Sequence, residues 1–177
     1  MTLRDEILTE HSKNNVLRIS RIIGNNKVLI KELINLTLGE DKDIARKAAW
    51  ILRYNQSDYP AEYIPYISKM IDHLRQNDIH VAVKRNFLAI LRISDIPRKN
   101  EGDLLDICFN FILSGKETVA VKAFSIDIIY RIGKREPSIM NELRLILEDQ
   151  LPYGSAGIKS KAKKIISGRN KYFDHDL

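Results

Sequence analysis

The chain has 177 residues, of which 44% are hydrophobic and 29% charged, with a net charge of +6. Length and composition fit one ordinary globular domain. No run approaches the roughly 18 uninterrupted apolar residues of a membrane span. The mixed-charge start, Met1–Glu6, has no apolar segment after it, which argues against a secretory signal. Cys108 is the single cysteine and cannot form an internal disulfide, so we expect a reducing compartment, the cytoplasm.

Basic residues are concentrated at the C-terminal end. Residues 155–177 contain six lysines and arginines against two aspartates, a net charge of +4, which leaves +2 for residues 1–154. The sequence therefore predicts that basic character is a local property of this end.

Apolar residues recur at helical spacing along the whole chain, and hairpin signals are absent. Ser12 is predicted to cap a helix within an N-terminal half-repeat, residues 1–24. Four helix pairs follow, with first helices predicted at about 26–38, 60–75, 102–113 and 138–150, and second helices at about 41–55, 78–94, 117–133 and 155–168. Left-handed caps are predicted at Gly39, Gly115 and Gly133, and helix starts at Pro60 and Pro137.

One lysine occupies the same register position in each predicted second helix. These residues are spaced 37, 38 and 37 positions apart: Lys47, Lys84, Lys122 and Lys159. A period held this closely indicates stacked supersecondary units, in which each helix pair buries its apolar face against its neighbour.

The turns between the helices of each pair add a family pattern. Asp41 is followed six positions later by Lys47, and the segment Asp78-Ile-His-Val-Ala-Val-Lys84 repeats this arrangement. The third turn has Lys116 beside Glu117, and the fourth has no acid. Over residues 26–168 the chain resembles HEAT-repeat (armadillo-type) proteins, although its period is a little shorter than the roughly 40–47 residues usual for them.

The resemblance implies an all-α fold, a right-handed α-α superhelix of about four HEAT-like helix pairs with an N-terminal capping half-repeat. It would form a single domain over residues 1–177. The expected parts are a cap (1–24), four repeats (26–57, 58–96, 101–136 and 137–168) and a tail (169–177).

The lysine ladder, defined by the four lysines in register, has two interpretations. The favoured one is that each lysine pairs with a turn acid of its own or the adjacent repeat. Alternatively, the ladder forms a basic stripe suited to a phosphate backbone. Lys159 has no obvious turn acid.

Asp127 lies in an otherwise apolar stretch, where an isolated carboxylate is costly. We predict a pair with Lys164, which lies one repeat further on. A sharper alternative comes from HEAT-like alkylpurine DNA glycosylases, which use an aspartate in a basic cleft lined with aromatic residues. Phe124 and Tyr130 are near Asp127 in sequence, but no tryptophan is.

A second group of candidates lies on the predicted second helices of the first two repeats. Trp50, the only tryptophan, is either core, as its counterpart Phe87 one repeat later suggests, or an exposed anchor for a partner. The predicted partner-binding residues are Arg46, Trp50, Arg53 and Arg85.

The C-terminal lysines are a third group. They either form the solvated outer face of a last repeat or contact nucleic acid. The nucleic-acid candidates are Lys159, Lys161, Lys163 and Lys164.

Enzyme signatures are missing. The four histidines, His11, His73, His80 and His175, are isolated, and we expect no metal and no cofactor. The Gly154–Gly157 tract before Lys159 has a thin likeness to the signature loop of fumarase and adenylosuccinate lyase enzymes, which are much longer. The leading hypothesis is a non-enzymatic scaffold or adaptor for a protein or peptide partner, the alternative is nucleic-acid binding, and a lyase is third.

Overall fold

The computed structural model describes residues 2–168, which form helices joined by short turns and contain no strand. Backbone contacts divide the chain into two compact units, Met1–Asn100 (unit 1) and Glu101–Leu177 (unit 2). The division falls between the second and third predicted repeats. A single domain over the whole chain stays a prediction, because these contacts define each unit by itself.

The helices of unit 1 are α1 (Leu3–Thr9), α2 (Lys13–Ile23), α3 (Lys27–Leu38), α4 (Lys42–Asp58), α5 (Pro60–Tyr63), α6 (Ile67–Leu74) and α7 (Val81–Leu91). Those of unit 2 are α8 (Arg98–Leu113, whose first turn belongs to unit 1), α9 (Val119–Gly133), α10 (Pro137–Gln150) and α11 (Ala156–Ile166). Each predicted helix pair is present, with ends shifted by a few residues.

The N-terminal segment is a short helix pair, where the sequence predicted a half-repeat built around one helix. The Thr2 hydroxyl accepts the Asp5 backbone N–H and the Asp5 carboxylate accepts that of Thr2, so a capping box starts α1. Ser12 caps α2 as predicted, accepting the backbone N–H of Asn15 at 3.1 Å. The capping box at Thr2 is the sequence signal that the prediction missed.

Helix α4 is the central element of unit 1 and packs against α2, α3 and α7. Its buried face carries Ala45, Ala48 and Ala49, whose small side chains let neighbouring helices approach closely. The helix predicted over 60–75 is divided by a 3₁₀ turn at Ile64–Tyr66, where Pro65 supplies no backbone N–H for a helical hydrogen bond.

A buried polar network fixes α2 and α5 onto α4. The Asn55 amide donates hydrogen bonds to the carbonyl oxygens of Ser20 (2.9 Å) and Gly24 (3.1 Å). The Tyr63 hydroxyl donates to the Asn55 carbonyl oxygen at 2.6 Å. Burial raises the pKa of Tyr63 well above its usual range, so the phenol remains a donor.

The core of unit 2 lies where α9 packs against α10 and α11. The fully buried side chains of unit 2 include Leu104 and Cys108 of α8, Ile128 of α9, and Leu143 and Leu147 of α10. Burial raises the pKa of the Cys108 thiol to about 12. The thiol is therefore uncharged at neutral pH, and Cys108 is a packing residue.

The left-handed caps predicted at three glycines are wrong. Among the described residues, only Gly24 (φ 49°) and Gly168 (φ 64°) have positive φ. Gly133 ends α9 at a point where a Cβ would lie 3.3 Å from the Met140 backbone nitrogen, so close helix packing favours glycine there. The helix starts predicted at Pro60 and Pro137 are confirmed.

Candidate functional site

The four predicted partner-binding residues lie on two adjacent helices of unit 1. Arg46, Trp50 and Arg53 follow one another at four- and three-residue spacing along one stripe of α4, and Arg85 lies on α7. Arg53 and Arg85 are exposed, whereas Arg46 and Trp50 are partly exposed. Because α4 and α7 pack directly together, we call this surface the arginine face.

Arg46 is already engaged within its own helix. Its Nε and Nη2 atoms donate to Asp43 Oδ1 at 2.9 and 2.6 Å. Lys47 Nζ lies 2.9 Å from the other oxygen of the same carboxylate. Hydrogen bonds from Lys47 and Arg46 lower the pKa of Asp43. The positive charge of Arg46 is therefore already balanced by the Asp43 carboxylate.

The Trp50 side chain is partly exposed to solvent. The His11 ring, from the loop between α1 and α2, packs edge-on against the indole at a centroid distance of 5.3 Å. The core interpretation rested on Phe87, which is completely buried and contacts His73 of α6. Trp50 has a loop residue in that role, so part of its ring reaches solvent. It is a positioned, partly exposed aromatic side chain.

Arg53 lies close to other guanidinium groups. Burial lowers the pKa of Arg53, and the positive charges of Arg92 and Arg85 lower it further. Arg92, the residue directly after α7, was not predicted from the sequence, although its seven-residue spacing from Arg85 places both on the same side of this helix. The α4–α7 pair thus concentrates positive charge near Trp50.

The turn acids bind basic residues of the preceding repeat. Asp41 caps α4 and accepts a hydrogen bond from Arg4 Nη2 at 2.7 Å. Asp78 forms an ion pair with Lys42. These acids therefore connect adjacent helix pairs, but their partners are not the ladder lysines.

The ladder lysines themselves differ from one another. Lys47 pairs with Asp43 in the first turn of α4, not with the turn acid Asp41. Within residues 2–168, Lys122 and Lys159 form no ion pair. Lys47 is therefore paired, but the predicted turn acid is wrong for it, and the paired interpretation does not extend to Lys122 and Lys159 within the described residues.

Asp127 is buried and forms an ion pair with Lys161, three residues before the predicted Lys164. The carboxylate is 2% exposed, and the Lys161 ammonium also donates to the Ala123 carbonyl oxygen at 3.1 Å. Adding one 37-residue period to Ala123 and Asp127 gives positions 160 and 164. Lys161 lies between these levels, and its long side chain reaches both oxygen atoms. A carboxylate enclosed in this way is not open to a substrate base.

The four C-terminal lysines differ in their exposure to solvent, because Lys161 is largely buried. Its side chain is only 12% exposed. Lys163 and Lys164 are exposed in the last turn of α11, and Lys159 is partly exposed. Three of the four predicted nucleic-acid residues thus remain accessible.

The other motifs have local structural roles. Ser155 caps α11 and Gly157 lies in its first turn, so the tract with a likeness to a lyase loop is a helix start. His80 caps α7 through Nδ1, which accepts the Ala82 N–H at 3.1 Å. His175 and the tail 169–177 lie outside the described residues.

Neither a metal-ligand cluster nor a membrane-spanning helix occurs in the described part of the chain. No group of three His, Cys, Asp or Glu side chains there could hold a metal ion. No helix in that part has the length and apolar character needed to cross a bilayer.

Comparison with known proteins identifies a family. A model of the HEAT repeat domain matches residues 3–169, which include the N-terminal helix pair and all four predicted repeats. No curated protein and no solved structure matches the sequence. The helix pairs, the repeat period and this match agree with one another. The chain belongs to the HEAT repeat domain family and has its all-α solenoid fold.

Proposed function

We propose that this protein is a non-enzymatic interaction scaffold that binds a protein partner through the arginine face. The single observation that carries the proposal is the partly exposed Trp50, held by His11, beside the exposed Arg53 and Arg85. Family membership supports it, because stacked helix pairs present extended surfaces that bind proteins and peptides.

The chemistry of the arginine face suits a protein contact. Tryptophan and arginine are enriched among the residues that dominate interface energies. Trp50 offers a large apolar ring, and the guanidinium groups offer several hydrogen-bond donors each. The side chains project from helices that pack against the core of unit 1, so little ordering is needed on binding.

A pair of matched variants tests the proposal. The face variant is Trp50→Ala/Arg53→Gln/Arg85→Gln. The control variant, Val28→Ala/Lys31→Gln/Lys69→Gln, removes one apolar and two basic side chains from exposed positions on α3 and α6. Both should retain the helical circular dichroism of the parent.

Chemical cross-linking of the tagged protein in its own cells, followed by mass spectrometry, should identify a protein joined to α4 or α7. We expect the face variant to lose this protein and the control variant to keep it. Equal recovery by both variants would contradict the proposal.

Nucleic-acid binding is the second candidate. It is favoured by the exposed Lys163 and Lys164 at the end of α11 and by the absence of an ion pair at Lys159 among the described residues. It is weakened by the engagement of Lys161 with Asp127. Three lysines on one short helix give a small positive surface for a polyanion.

A further inference from the structure

We propose, on the basis of the scaffold function above, that the partner presents an acidic peptide segment to the arginine face. Its side-chain carboxylates would bind Arg53 and Arg85, and an apolar side chain would lie beside Trp50. The occupant is identified by charge complementarity.

The charge of unit 1 is the first argument. Residues 1–100 contain 17 basic and 12 acidic side chains, a net charge of +5, whereas residues 101–177 contain 12 and 11, a net charge of +1. The prediction that basic character is local to the C-terminal end is therefore wrong, because unit 1 is basic as well. Residues 101–154 have a net charge of −3. The net charge of residues 1–154 is therefore only +2, although that of unit 1 is +5.

The distribution of ion pairs is the second argument. Many acids of unit 1 already have basic partners. These ion pairs are Glu6–Arg18, Asp41–Arg4, Asp43–Arg46, Glu62–Lys27 and Asp78–Lys42. In contrast, Arg53 and Arg85 form no ion pair with any residue from 2 to 168. The charges at the centre of the arginine face therefore lack a salt-bridge partner within the described chain.

Mutual repulsion is the third argument. Arg53 and Arg85 lie on the packed helices α4 and α7, and burial followed by the positive charges of Arg92 and Arg85 lowers the pKa of Arg53. A carboxylate placed among them would relieve this repulsion and accept charge-assisted, bidentate hydrogen bonds from the planar guanidinium groups. Tyr54 and Trp50 provide apolar surface next to these donors.

The extent of the positive surface favours a peptide over a nucleic acid. Arg46 and Arg53 are seven residues apart on α4, which is roughly 10 Å along the helix axis. The side chains of Asp41 and Asp43 are 45% and 50% exposed at the N-terminal end of the same helix. A phosphate backbone, with about one charge every 1.7 Å in duplex DNA, would meet these carboxylates. A short segment with two or three acidic residues would not.

The test uses the full chain and three probes. The first is a fluorescein-labelled short peptide in which glutamates alternate with serine and leucine. The second carries glutamine in place of every glutamate, and the third is a single-stranded oligonucleotide of similar length. Binding is followed by anisotropy and by the emission of Trp50, which is the only tryptophan and lies on the arginine face.

We expect the glutamate peptide to bind and to change Trp50 emission, and the glutamine peptide not to bind. Arg53→Gln/Arg85→Gln should weaken binding about tenfold or more, because two charged hydrogen-bond donors are lost. The charge-matched control Lys31→Gln/Lys69→Gln should change it less than about threefold, since exposed charges act weakly at a distance in salt.

Three results would overturn the proposal: no binding of the glutamate peptide, equal weakening by both variants, or preferential binding of the oligonucleotide through Arg53 and Arg85. The scaffold function is tested by the cross-linking experiment with the face and control variants, which does not use the glutamate peptide. If the face variant loses its cross-linked protein while the glutamate peptide fails to bind, the scaffold stands and the acidic-segment proposal falls.

Discussion

Replacing Lys161 by methionine should strongly destabilise unit 2, whereas the same change at Lys163 should have little effect. Methionine keeps an unbranched apolar stem and removes the ammonium group. The Asp127 carboxylate, which is 2% exposed, would then be left without the ion pair that Lys161 supplies. Lys163 is two residues away on the same helix but exposed, so it is a matched control.

The size of the effect follows from burial. Breaking a buried ion pair by removing one partner costs about 3–5 kcal/mol of unfolding free energy, because the other charge remains enclosed. A surface change such as Lys163→Met is typically within about 0.5 kcal/mol. The double variant Asp127→Leu/Lys161→Met should lose less stability than Lys161→Met alone, because it leaves no buried charge.

Urea unfolding followed by far-UV circular dichroism measures these differences. Amide hydrogen exchange adds a local readout, since the amides of α9 and α11 should exchange faster in Lys161→Met and stay protected in Lys163→Met. If the two single variants unfold at the same urea concentration, the buried ion pair does not stabilise unit 2 and the reasoning is refuted.

Three further predictions concern other sites. Tyr63→Phe should cost about 1–3 kcal/mol in urea unfolding, because the buried Asn55 carbonyl oxygen loses its donor; an unchanged midpoint would contradict the network. Burial lowers the pKa of His73 below the ordinary histidine value of about 6.5, so the unfolded chain binds the proton first and stability falls as the pH drops below about 6.5. His73→Gln should reduce the fall in melting temperature on acidification. An unchanged pH dependence of the melting temperature would show that His73 is not its cause. The scaffold account also predicts no micromolar nucleic-acid binding at about 200 mM salt. Salt-sensitive binding that disappears in Lys163→Glu/Lys164→Glu would instead favour the alternative.

The sequence was sufficient to predict the helix pairs because their determinants are local or periodic. The 37-residue register located the second helices, Ser12 was identified as a cap, and Pro60 and Pro137 were placed at helix starts. Each of these signals acts within a few residues or repeats along the chain. The capping box at Thr2 is equally local and could have been found.

The side-chain partners were harder to predict. Counting one period from Asp127 gave Lys164, but a lysine side chain spans more than a turn of helix, so Lys161 reaches the same carboxylate. Asp41 was read as an acid for Lys47, whereas its hydrogen bonds go to backbone N–H groups and to Arg4. The repeat period predicts where the backbone of a residue lies in the stack of helix pairs. It does not predict which of several long side chains nearby forms the contact.

The exposure of Trp50 could not be obtained from its repeat counterpart. Phe87 is covered by helix α6, while Trp50 meets His11 in a loop. The residues that shield a side chain from solvent at each repeat position come from neighbouring helices. The helix pair α1–α2, which precedes Trp50, is short, and the residue that contacts Trp50 is in its loop. The repeat pattern alone therefore does not predict how far a side chain at a given position is buried.

The most direct test of the central claim is photo-cross-linking from position 50. Benzoylphenylalanine replaces Trp50 in one variant and Val28, which is 75% exposed on α3, in a control. The account predicts that illumination in the protein's own cells joins position 50 to a defined protein and that position 28 gives no such product. Equal products from both positions, or products with nucleic acid alone, would contradict the assignment of the arginine face as the partner-binding surface.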